Sequence, residues 1–185
     1  FLRMTAGPMD YTPGAMDNYP VDAYKGGSHG FKEGKGSMPG SPGSRSHQMA
    51  LMALYEAPLQ MLCDAPTKYE KNLESFRFMA ATPVVWADSI GLAGCPDSMA
   101  AVARRSFDGS WYVAAITDSK ARDWTLDTSA FLKDGEWTAE IFRDAPTSEK
   151  SPVDYIHEFK TVKSGDKIDF HMIRGGGCVV KFVRK

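Results

Sequence analysis

The spacing of hydrophobic residues changes near Thr82-Pro83 and divides the chain into two halves. After this point apolar residues recur at every second position, which predicts β-strands with one buried face. The alternating runs include Trp111, Val113, Ala115, then Trp137, Ala139, Ile141, then Ile168, Phe170, Met172. Asp108-Gly109 lies between two such runs and predicts a hairpin, and Asp134-Gly135 and Gly165-Asp166 mark further turns. This pattern predicts an antiparallel β-sandwich over residues 83–185.

The first half has the order of elements that is typical of an α/β domain. Phe1–Gly7 is short and mostly apolar, as a buried parallel strand is. Ser46–Tyr55 begins with a capping residue and is apolar nearly all round, so it predicts a buried helix. Pro58–Leu62 predicts a second short strand, and another helix begins at Pro66, a position that tolerates proline.

This last helix is predicted to bury one stripe of side chains. Tyr69, Leu73 and Phe76 lie at positions i, i+4 and i+7, which share one helix face. Two parallel strands do not form a stable sheet alone, because both faces need cover and both edges need pairing. We therefore expect residues 1–82 to be the end of a larger α/β domain.

The composition and the net charge indicate which classes of binding partner are not expected. The 185 residues are 43% hydrophobic and 24% charged, which is typical of a globular protein. A net charge of −1 gives no electrostatic case for binding nucleic acid or an anionic membrane surface. No apolar run approaches the ~20 residues that span a bilayer. We therefore expect neither nucleic acid nor a membrane as a partner.

The three cysteines are Cys63, Cys95 and Cys178, and no two of them form a C-x-x-C pair. This spacing disfavours a zinc site or a disulfide framework. Buried free thiols are the favoured interpretation, and a single bridge in an oxidising compartment is the alternative.

The sequence has no complete motif for a phosphate-binding loop or for a metal-binding pair of histidines. Gly30–Lys35 resembles a phosphate-binding loop, but it is one residue short and Gly36 follows it where Ser or Thr is required. The four histidines have neither H-x-x-x-H nor H-E-x-x-H spacing, so we expect no metal ligands among them.

Two carboxylates stand apart from the others by their position. Asp10 and Asp64 each follow an apolar segment, at the place where (β/α)8 barrels build their active sites. Hydrolysis of a glycosidic bond needs two carboxyl groups at a defined separation. The same position also suits an aspartate that serves only a turn or a helix cap. Both interpretations stay open for both residues.

Four segments in succession carry a family resemblance. Phe1–Met16 closely resembles the pattern F-T-R-M-x-A-G-P-M-D-Y-T-P-G, and Gly43–Ala50 is similar to G-T-R-x-H-Q-L-A. Tyr55–Asp64 is similar to Y-E-S-P-L-Q-M-L-x-D, and Thr82–Trp86 resembles P-T-x-W. These are motifs of glycoside hydrolase family 97, and they occur in the family's order along nearly the whole chain. Residues 17–42 follow the family poorly.

The resemblance implies the C-terminal part of a three-part enzyme with an N-terminal β-sandwich, a central (β/α)8 barrel and a C-terminal β-domain. Residues 1–82 would form the last two strand–helix units of the barrel, with Phe1–Met9 as strand seven and Pro58–Leu62 as strand eight. Residues 83–185 would form the antiparallel β-sandwich. The family hydrolyses α-linked glucosides or galactosides and binds calcium near its active site.

The resemblance also implies that this chain holds only one wall of the sugar pocket. The family's catalytic carboxylates and calcium ligands belong to earlier strands, so they are expected upstream and this chain alone is expected to be inactive. Met9, Asp10 and Tyr11 are the candidate substrate-binding residues, and Asp64 is a weaker candidate. A tyrosine and an aspartate suit a pyranose, through stacking and through hydrogen bonds to hydroxyl groups.

The expected partners are an α-linked oligosaccharide and the missing barrel and N-terminal domain of the same protein. An exported or periplasmic location is implied by the resemblance only. The alternative function is a non-catalytic β-domain that binds carbohydrate or has a structural role. A row of exposed Trp111, Trp124 or Trp137 would favour carbohydrate binding, but Trp111 and Trp137 lie on apolar strand faces, which predicts core packing.

Overall fold

The computed structural model describes residues 6–22 and 40–185, which form mostly β-structure. The helices are α1 Arg45–Leu54, α2 Pro66–Glu70 and α3 Leu73–Ala81. The strands are β1 Asn18–Tyr19, β2 Ser41–Pro42, β3 Asp88–Cys95, β4 Met99–Arg105, β5 Trp111–Thr117, β6 Arg122–Asp127, β7 Glu136–Asp144, β8 Tyr155–Lys163, β9 Lys167–Met172 and β10 Gly177–Arg184. Across the described ranges, every helix is too short or too polar to cross a lipid bilayer.

The second half of the chain forms two antiparallel sheets, as its period of two predicts. The larger sheet has the strand order β3-β4-β5-β10-β7-β8, and β6 pairs with β9 to form the smaller one. Apolar side chains from the facing sides of the two sheets form one core, which includes Trp111, Val113, Trp137, Ile141, Ile168, Phe170, Val180 and Phe182. The predicted core positions of Trp111 and Trp137 are therefore confirmed, with exposed fractions of 7% and 4%.

The other face of the larger sheet packs against the helices. Tyr112, Ala114 and Phe142 point to this side and share a second core with α1 and α3. The rings of Phe142 and Phe78 lie 4.9 Å apart between centroids. The central strand β5 is therefore buried on both faces, which explains why its sequence is apolar at nearly every position.

The predicted hairpin at Asp108-Gly109 is confirmed. It joins β4 to β5, whose register pairs Arg105 with Trp111. Gly109 has φ +87°, a left-handed conformation that glycine adopts without strain. The Asp108 Oδ1 atom accepts a hydrogen bond from the Ser110 N–H at 2.9 Å, which fixes the turn.

The buried helix predicted over Ser46–Tyr55 is also confirmed, one residue earlier at each end. The Ser44 side chain caps α1 by accepting a hydrogen bond from the His47 N–H at 3.1 Å. Every residue of the helix except His47 is buried. The sheet covers one side of the helix and the Tyr69–Met79 region covers another, which accounts for its apolar circumference.

The predicted stripe of Tyr69, Leu73 and Phe76 holds for Tyr69 and Phe76, whose ring centroids lie 5.3 Å apart against the same core, and is wrong for Leu73. The predicted helix is broken at Lys71-Asn72 into α2 and α3. Tyr69 is buried, but Leu73 is 45% exposed. The new helix instead buries Phe78 and Met79, because the break resets the phase of the 3.6-residue period.

The predicted strand Pro58–Leu62 does not form as a regular strand. Gln60 makes a single parallel β-bridge with Tyr11, and no strand of either half extends this pairing among the described residues. An extended segment with one bridged partner lacks the ladder that defines a parallel strand. Most of the other predicted strand, Phe1–Gly7, lies outside the described residues, as does the rejected phosphate-loop segment Gly30–Lys35.

All three thiols are free, but the expectation that they are buried holds only for Cys178. Cys63 and Cys95 are exposed, because they lie at the end of an extended segment and at the end of the edge strand β3. Trp124 is half-buried and stacks on Phe170 at 5.9 Å between ring centroids. These indoles therefore do not form a row of exposed rings.

Candidate functional site

The predicted wall residues Met9, Asp10 and Tyr11 lie beside the segment 56–60. The Met9 N–H donates to the Glu56 carbonyl oxygen at 3.1 Å, and Tyr11 forms the parallel bridge with Gln60. Met9 and Tyr11 are half-buried, whereas Asp10 is exposed. The two backbones therefore run side by side in the same direction and leave the Asp10 carboxylate accessible to a ligand.

The ring of Tyr11 is held by packing. It stands edge-on to the ring of Tyr55, with a centroid distance of 5.0 Å and an interplanar angle of 89°. Burial, reinforced by the nearby Tyr55 and Cys63 side chains, raises the pKa of Tyr11 above its ordinary value. The hydroxyl group therefore stays protonated at neutral pH, where it can donate a hydrogen bond to a sugar oxygen.

Asp64 is occupied by contacts within the protein. Its Oδ2 atom accepts a hydrogen bond from the Met16 N–H at 2.6 Å, and its Oδ1 atom lies 3.2 Å from the Lys68 Nζ atom. Lys68 also pairs with Asp17. The Asp64 side chain is only 7% exposed. These contacts connect the loop after Tyr11 to the first turn of α2. Of the two interpretations left open for Asp64, they favour the aspartate that serves a turn or a helix cap over an active-site carboxylate.

Arg45 completes this attachment from the other side. Its Nη2 atom donates to the Met16 carbonyl oxygen at 2.6 Å and its Nη1 atom to the Asn72 Oδ1 atom, also at 2.6 Å. Burial lowers the pKa of Arg45. In addition, the Tyr69 hydroxyl group donates to the Gly14 carbonyl oxygen at 3.0 Å. The loop that follows the wall residues is thus fixed at two carbonyl oxygens and one N–H.

Arg45 is a structural residue that sequence reasoning missed, although it lies in the family motif Gly43–Ala50. Its partners at Met16 and Asn72 are each separated from it by more than twenty positions. No local spacing indicates these contacts. The motif match itself was the signal that could have found this residue.

A buried acid, Asp144, and a half-buried histidine, His47, lie where α1 meets the β-domain. The Asp144 Oδ2 atom accepts hydrogen bonds from the N–H groups of Ile173 and Gly177, both at 3.0 Å. Burial raises the pKa of Asp144 to about 6, although these bonds oppose the rise. The His47 Nδ1 atom lies 3.1 Å from the Gly176 carbonyl oxygen, and burial lowers the pKa of His47.

A second junction between the two halves is built around His157. Its Nδ1 atom lies 2.8 Å from Glu74 Oε1 on α3, and its Nε2 atom lies 3.1 Å from Glu140 Oε1 on β7. The imidazole ring stacks on Phe142 with centroids 4.0 Å apart. The Tyr155 hydroxyl group donates to Glu74 Oε2 at 2.7 Å, and the bonds from His157 and Tyr155 lower the pKa of Glu74. This cluster joins α3 to the sheet.

The metal-ligating side chains of the described residues are not gathered in one place. Within residues 6–22 and 40–185, no group of three His, Cys, Asp or Glu side chains is arranged to hold a metal ion. The described residues therefore offer no cage for calcium. The chemistry that they do offer at the wall is one exposed carboxylate, one neutral phenol and one thioether, which can position a ligand.

The sequence of this chain is similar to curated glycosidases over nearly its whole length. It is 40% identical over 181 residues to a retaining alpha-galactosidase of Bacteroides thetaiotaomicron, with 98% of this chain and 26% of that protein covered. A probable retaining alpha-galactosidase of Streptomyces bingchenggensis is 26% identical over 179 residues, with 96% of this chain and 24% of that protein covered. The chain spans about a quarter of the length of the curated relatives it matches.

The fold is similar to that of solved glycosidases. A Glycoside Hydrolase Family 97 enzyme from Pseudoalteromonas sp., solved in complex with panose, superimposes with a TM-score of 0.83 and 28% identity. That superposition covers 99% of this chain and 27% of the other. A beta-arabinopyranosidase matches with a TM-score of 0.70 at 20% identity over 97% of this chain and 26% of the other, which shows a shared fold.

A family model also matches the β-domain. Residues 85–183 match the model described as Glycosyl-hydrolase 97 C-terminal, oligomerisation. The matched range lies within the predicted β-sandwich, 83–185, and includes strands of both sheets. Together with the motifs at Phe1–Met16 and Tyr55–Asp64, it shows that the chain belongs to glycoside hydrolase family 97.

Proposed function

We propose that the protein containing this chain is a retaining α-galactosidase, to which this chain contributes the end of the barrel and the C-terminal β-domain. The observation that carries this proposal is the 40% identity to a retaining alpha-galactosidase over 98% of the chain. Hydrolysis of α-glucosides is the second candidate, because the superimposed family member from Pseudoalteromonas was solved in complex with panose.

We propose that residues 1–82 are the last two strand–helix units of a (β/α)8 barrel. The parallel bridge between Tyr11 and Gln60 and the hydrogen bond from Met9 to Glu56 support this, because neighbouring barrel strands are parallel. The buried helix α1 lies between the two bridged segments in sequence, as the helix of a crossover connection does. The catalytic carboxylates then belong to strands upstream of this chain, and the chain alone is inactive.

Met9, Asp10 and Tyr11 are the residues of this chain that we propose to contact the sugar. They lie at the end of the proposed strand seven, at the barrel end where active sites are built. The exposed Asp10 carboxylate accepts hydrogen bonds from sugar hydroxyl groups, and Tyr11 offers a fixed ring and a neutral donor. Asp64 contributes indirectly, since it holds the same loop through Met16.

The described residues do not fit a calcium site. Calcium prefers six to eight oxygen ligands, and the described carboxylates are not clustered in that way. A calcium ion, which the resemblance implies, would therefore take its ligands from the upstream part of the protein. An exported or periplasmic location is likewise a prediction that rests on the family resemblance alone.

The β-domain has a second proposed role in joining copies of the protein, which the description of its family model supports. It also covers α1 and α3 with one face of its larger sheet, so a structural role within each copy accompanies the first. A carbohydrate-binding role through Trp111 and Trp137 has little support, because both indoles are buried.

The proposed activity is tested by steady-state kinetics of the intact protein on a chromogenic α-galactoside and on the matching α-glucoside. We expect the higher kcat/KM for the galactoside. A higher kcat/KM for the glucoside would transfer the assignment to the second candidate. The absence of turnover on both substrates would overturn the glycosidase proposal.

A further inference from the structure

One histidine stands between the last helix of the first half and the larger sheet. The Nδ1 atom of His157, on β8, lies 2.8 Å from the Oε1 atom of Glu74 on α3. Its Nε2 atom lies 3.1 Å from the Oε1 atom of Glu140 on β7. The His157 side chain is only 16% exposed. Both ring nitrogens therefore face carboxylate oxygens at hydrogen-bond distance, one from the helix and one from the sheet.

These two contacts require a charged ring. An ionised carboxylate only accepts hydrogen bonds, so each nitrogen of His157 must carry a proton to bond to its partner. A neutral imidazole has one N–H group, and the lone pair on its other nitrogen would face a carboxylate oxygen. The ring of Phe142 stacks on the imidazole with centroids 4.0 Å apart, which holds the ring in the plane that reaches both carboxylates. The geometry thus fits the imidazolium form.

The two carboxylates have no other ionic partner in the part of the chain that the structure describes. There, His157 is the only base within ion-pair distance of Glu74 or Glu140. The Tyr155 hydroxyl group donates to the Oε2 atom of Glu74 at 2.7 Å, but it adds no positive charge. The ionic contact between α3 and β7 therefore depends on the charge of one imidazole ring.

The other charged groups on the surrounding elements do not replace the histidine. Lys181 of β10 lies beside Glu140 in the strand register, but its Nζ atom stands over the Tyr112 ring, 5.6 Å from the centroid. Arg45 of α1 donates to a backbone carbonyl oxygen, and Arg77 of α3 is exposed. Further charges of β7 and β8 pair with each other, as Arg143–Glu158, Lys160–Glu158 and Lys163–Glu136.

We propose that Glu74, His157 and Glu140 form a pH-sensitive latch between α3 and the larger sheet, which is complete while His157 is charged and weakened when it is neutral. Histidine is the side chain that changes its charge between about pH 5 and pH 8. The bonds from His157 and Tyr155 lower the pKa of Glu74, so this carboxylate stays ionised over that range.

Loss of the proton weakens the latch in two ways. It removes one of the two N–H donors, and it leaves two carboxylates beside a ring without charge. The attachment of α3 to the sheet is therefore firmer in mildly acidic solution than in alkaline solution. Because the latch involves only α3 and the β-domain, it does not depend on the proposed glycosidase activity.

Hydrogen exchange of the intact protein tests the latch. The measured quantity is the protection of the amides of residues 76–80 in α3, as the ratio of wild type to His157→Gln at the same pH. This ratio cancels the intrinsic effect of pH and the titration of groups that both proteins share, such as Asp144. We expect it to fall about 10-fold between about pH 5.5 and about pH 8.5, since glutamine stays neutral and the wild type loses a charge-assisted bond.

His171→Gln is the matched control. His171 also contacts a carboxylate, that of Asp123 at 2.6 Å, but this pair joins β9 to β6 in the smaller sheet. Its replacement removes a histidine charge without touching α3. The ratio of wild type to His171→Gln at residues 76–80 should therefore be the same at both pH values.

Glu74→Gln gives a second readout from the helix side. Its amide oxygen accepts a hydrogen bond from a neutral imidazole as well as from a charged one, so the ratio of wild type to this variant should also fall with rising pH. A ratio for His157→Gln that does not change with pH would overturn the latch. A constant ratio for Glu74→Gln alone would overturn it too, because the pH dependence would then arise outside the contact with α3. Melting temperatures at about pH 5.5 establish that the variants are folded.

Discussion

Asp144 is buried where α1 meets the β-domain, and its carboxylate accepts hydrogen bonds from two backbone N–H groups in place of water. Burial raises the pKa of this carboxyl group from 3.8 to about 6. Between these two values the native state holds a proton that the unfolded state has released. The free energy of unfolding therefore falls as the pH rises through this window, and the loss is complete above pH ~6.

Asp144→Asn is expected to remove this dependence. The unfolding free energy of the variant relative to the wild type should increase between pH ~4 and pH ~6.5 by up to about 3 kcal/mol, since each pKa unit corresponds to about 1.4 kcal/mol. Denaturant titrations of the intact protein at several pH values measure it. His47 titrates in the opposite sense in both proteins, so its contribution cancels in the difference.

Asp134→Asn serves as the control for this comparison, because Asp134 is exposed in the turn before β7. As a surface substitution it should change the free energy of unfolding by less than about 0.5 kcal/mol over the same pH range. A flat difference for Asp144→Asn would show that the buried carboxyl group has no raised pKa.

Tyr11→Phe isolates the hydroxyl group that we propose to bind the sugar. The variant keeps the edge-on packing against Tyr55, so its melting temperature should match that of the wild type. Loss of one hydrogen bond to substrate lowers kcat/KM about 10-fold, which corresponds to about 1.4 kcal/mol. Tyr55→Phe is the matched control and should keep full activity. Unchanged kinetics in Tyr11→Phe would remove this hydroxyl group from the substrate contacts.

The elements of the first half are held together by side chains that reach between them. Arg45 on α1 bonds to the loop at Met16 and to the N-cap of α3 at Asn72. Asp64 holds the same loop from the start of α2. A buried polar group that loses its partner costs about 1–3 kcal/mol. These bonds therefore decide how firmly the elements are positioned behind Met9, Asp10 and Tyr11.

Arg45→Ala should destabilise the protein by about 3 kcal/mol, because it leaves the Met16 carbonyl oxygen and the Asn72 side chain without a donor. Hydrogen exchange should increase at residues 14–18 in particular. Arg77→Ala, on the exposed side of α3, is the control and should change the stability by less than about 0.5 kcal/mol. Equal protection of residues 14–18 in both variants would contradict the role given to Arg45.

The strands of the β-domain were predictable from sequence because the alternation of apolar and polar residues within a strand shows which of its faces is buried. The alternation at Trp137–Ile141 and the Asp108-Gly109 turn need no knowledge of the rest of the chain. The break between α2 and α3 was not predictable in this way, since Asn72 is held by Arg45 from a different helix. The hydrogen bond between Asp64 and Met16 joins residues 48 positions apart. The sequence position of Asp64 alone therefore did not distinguish an active-site role from a turn or cap role.

The described part of the chain is layered, with the larger sheet covered on both faces. β6 and β9 cover one face, and α1 and α3 cover the other. The β-domain thus contacts the proposed barrel segment with one face of its larger sheet and encloses its own core with the other.

We propose above all that this chain completes a retaining α-galactosidase. The most direct test follows the hydrolysis of an α-galactoside by the intact protein with proton NMR and identifies the anomer of galactose that appears first. We expect α-galactose first, followed by slow conversion to the β anomer, because a retaining enzyme forms a covalent glycosyl intermediate that water then hydrolyses. Initial release of β-galactose would contradict a retaining mechanism, and no release of galactose would contradict the claim itself.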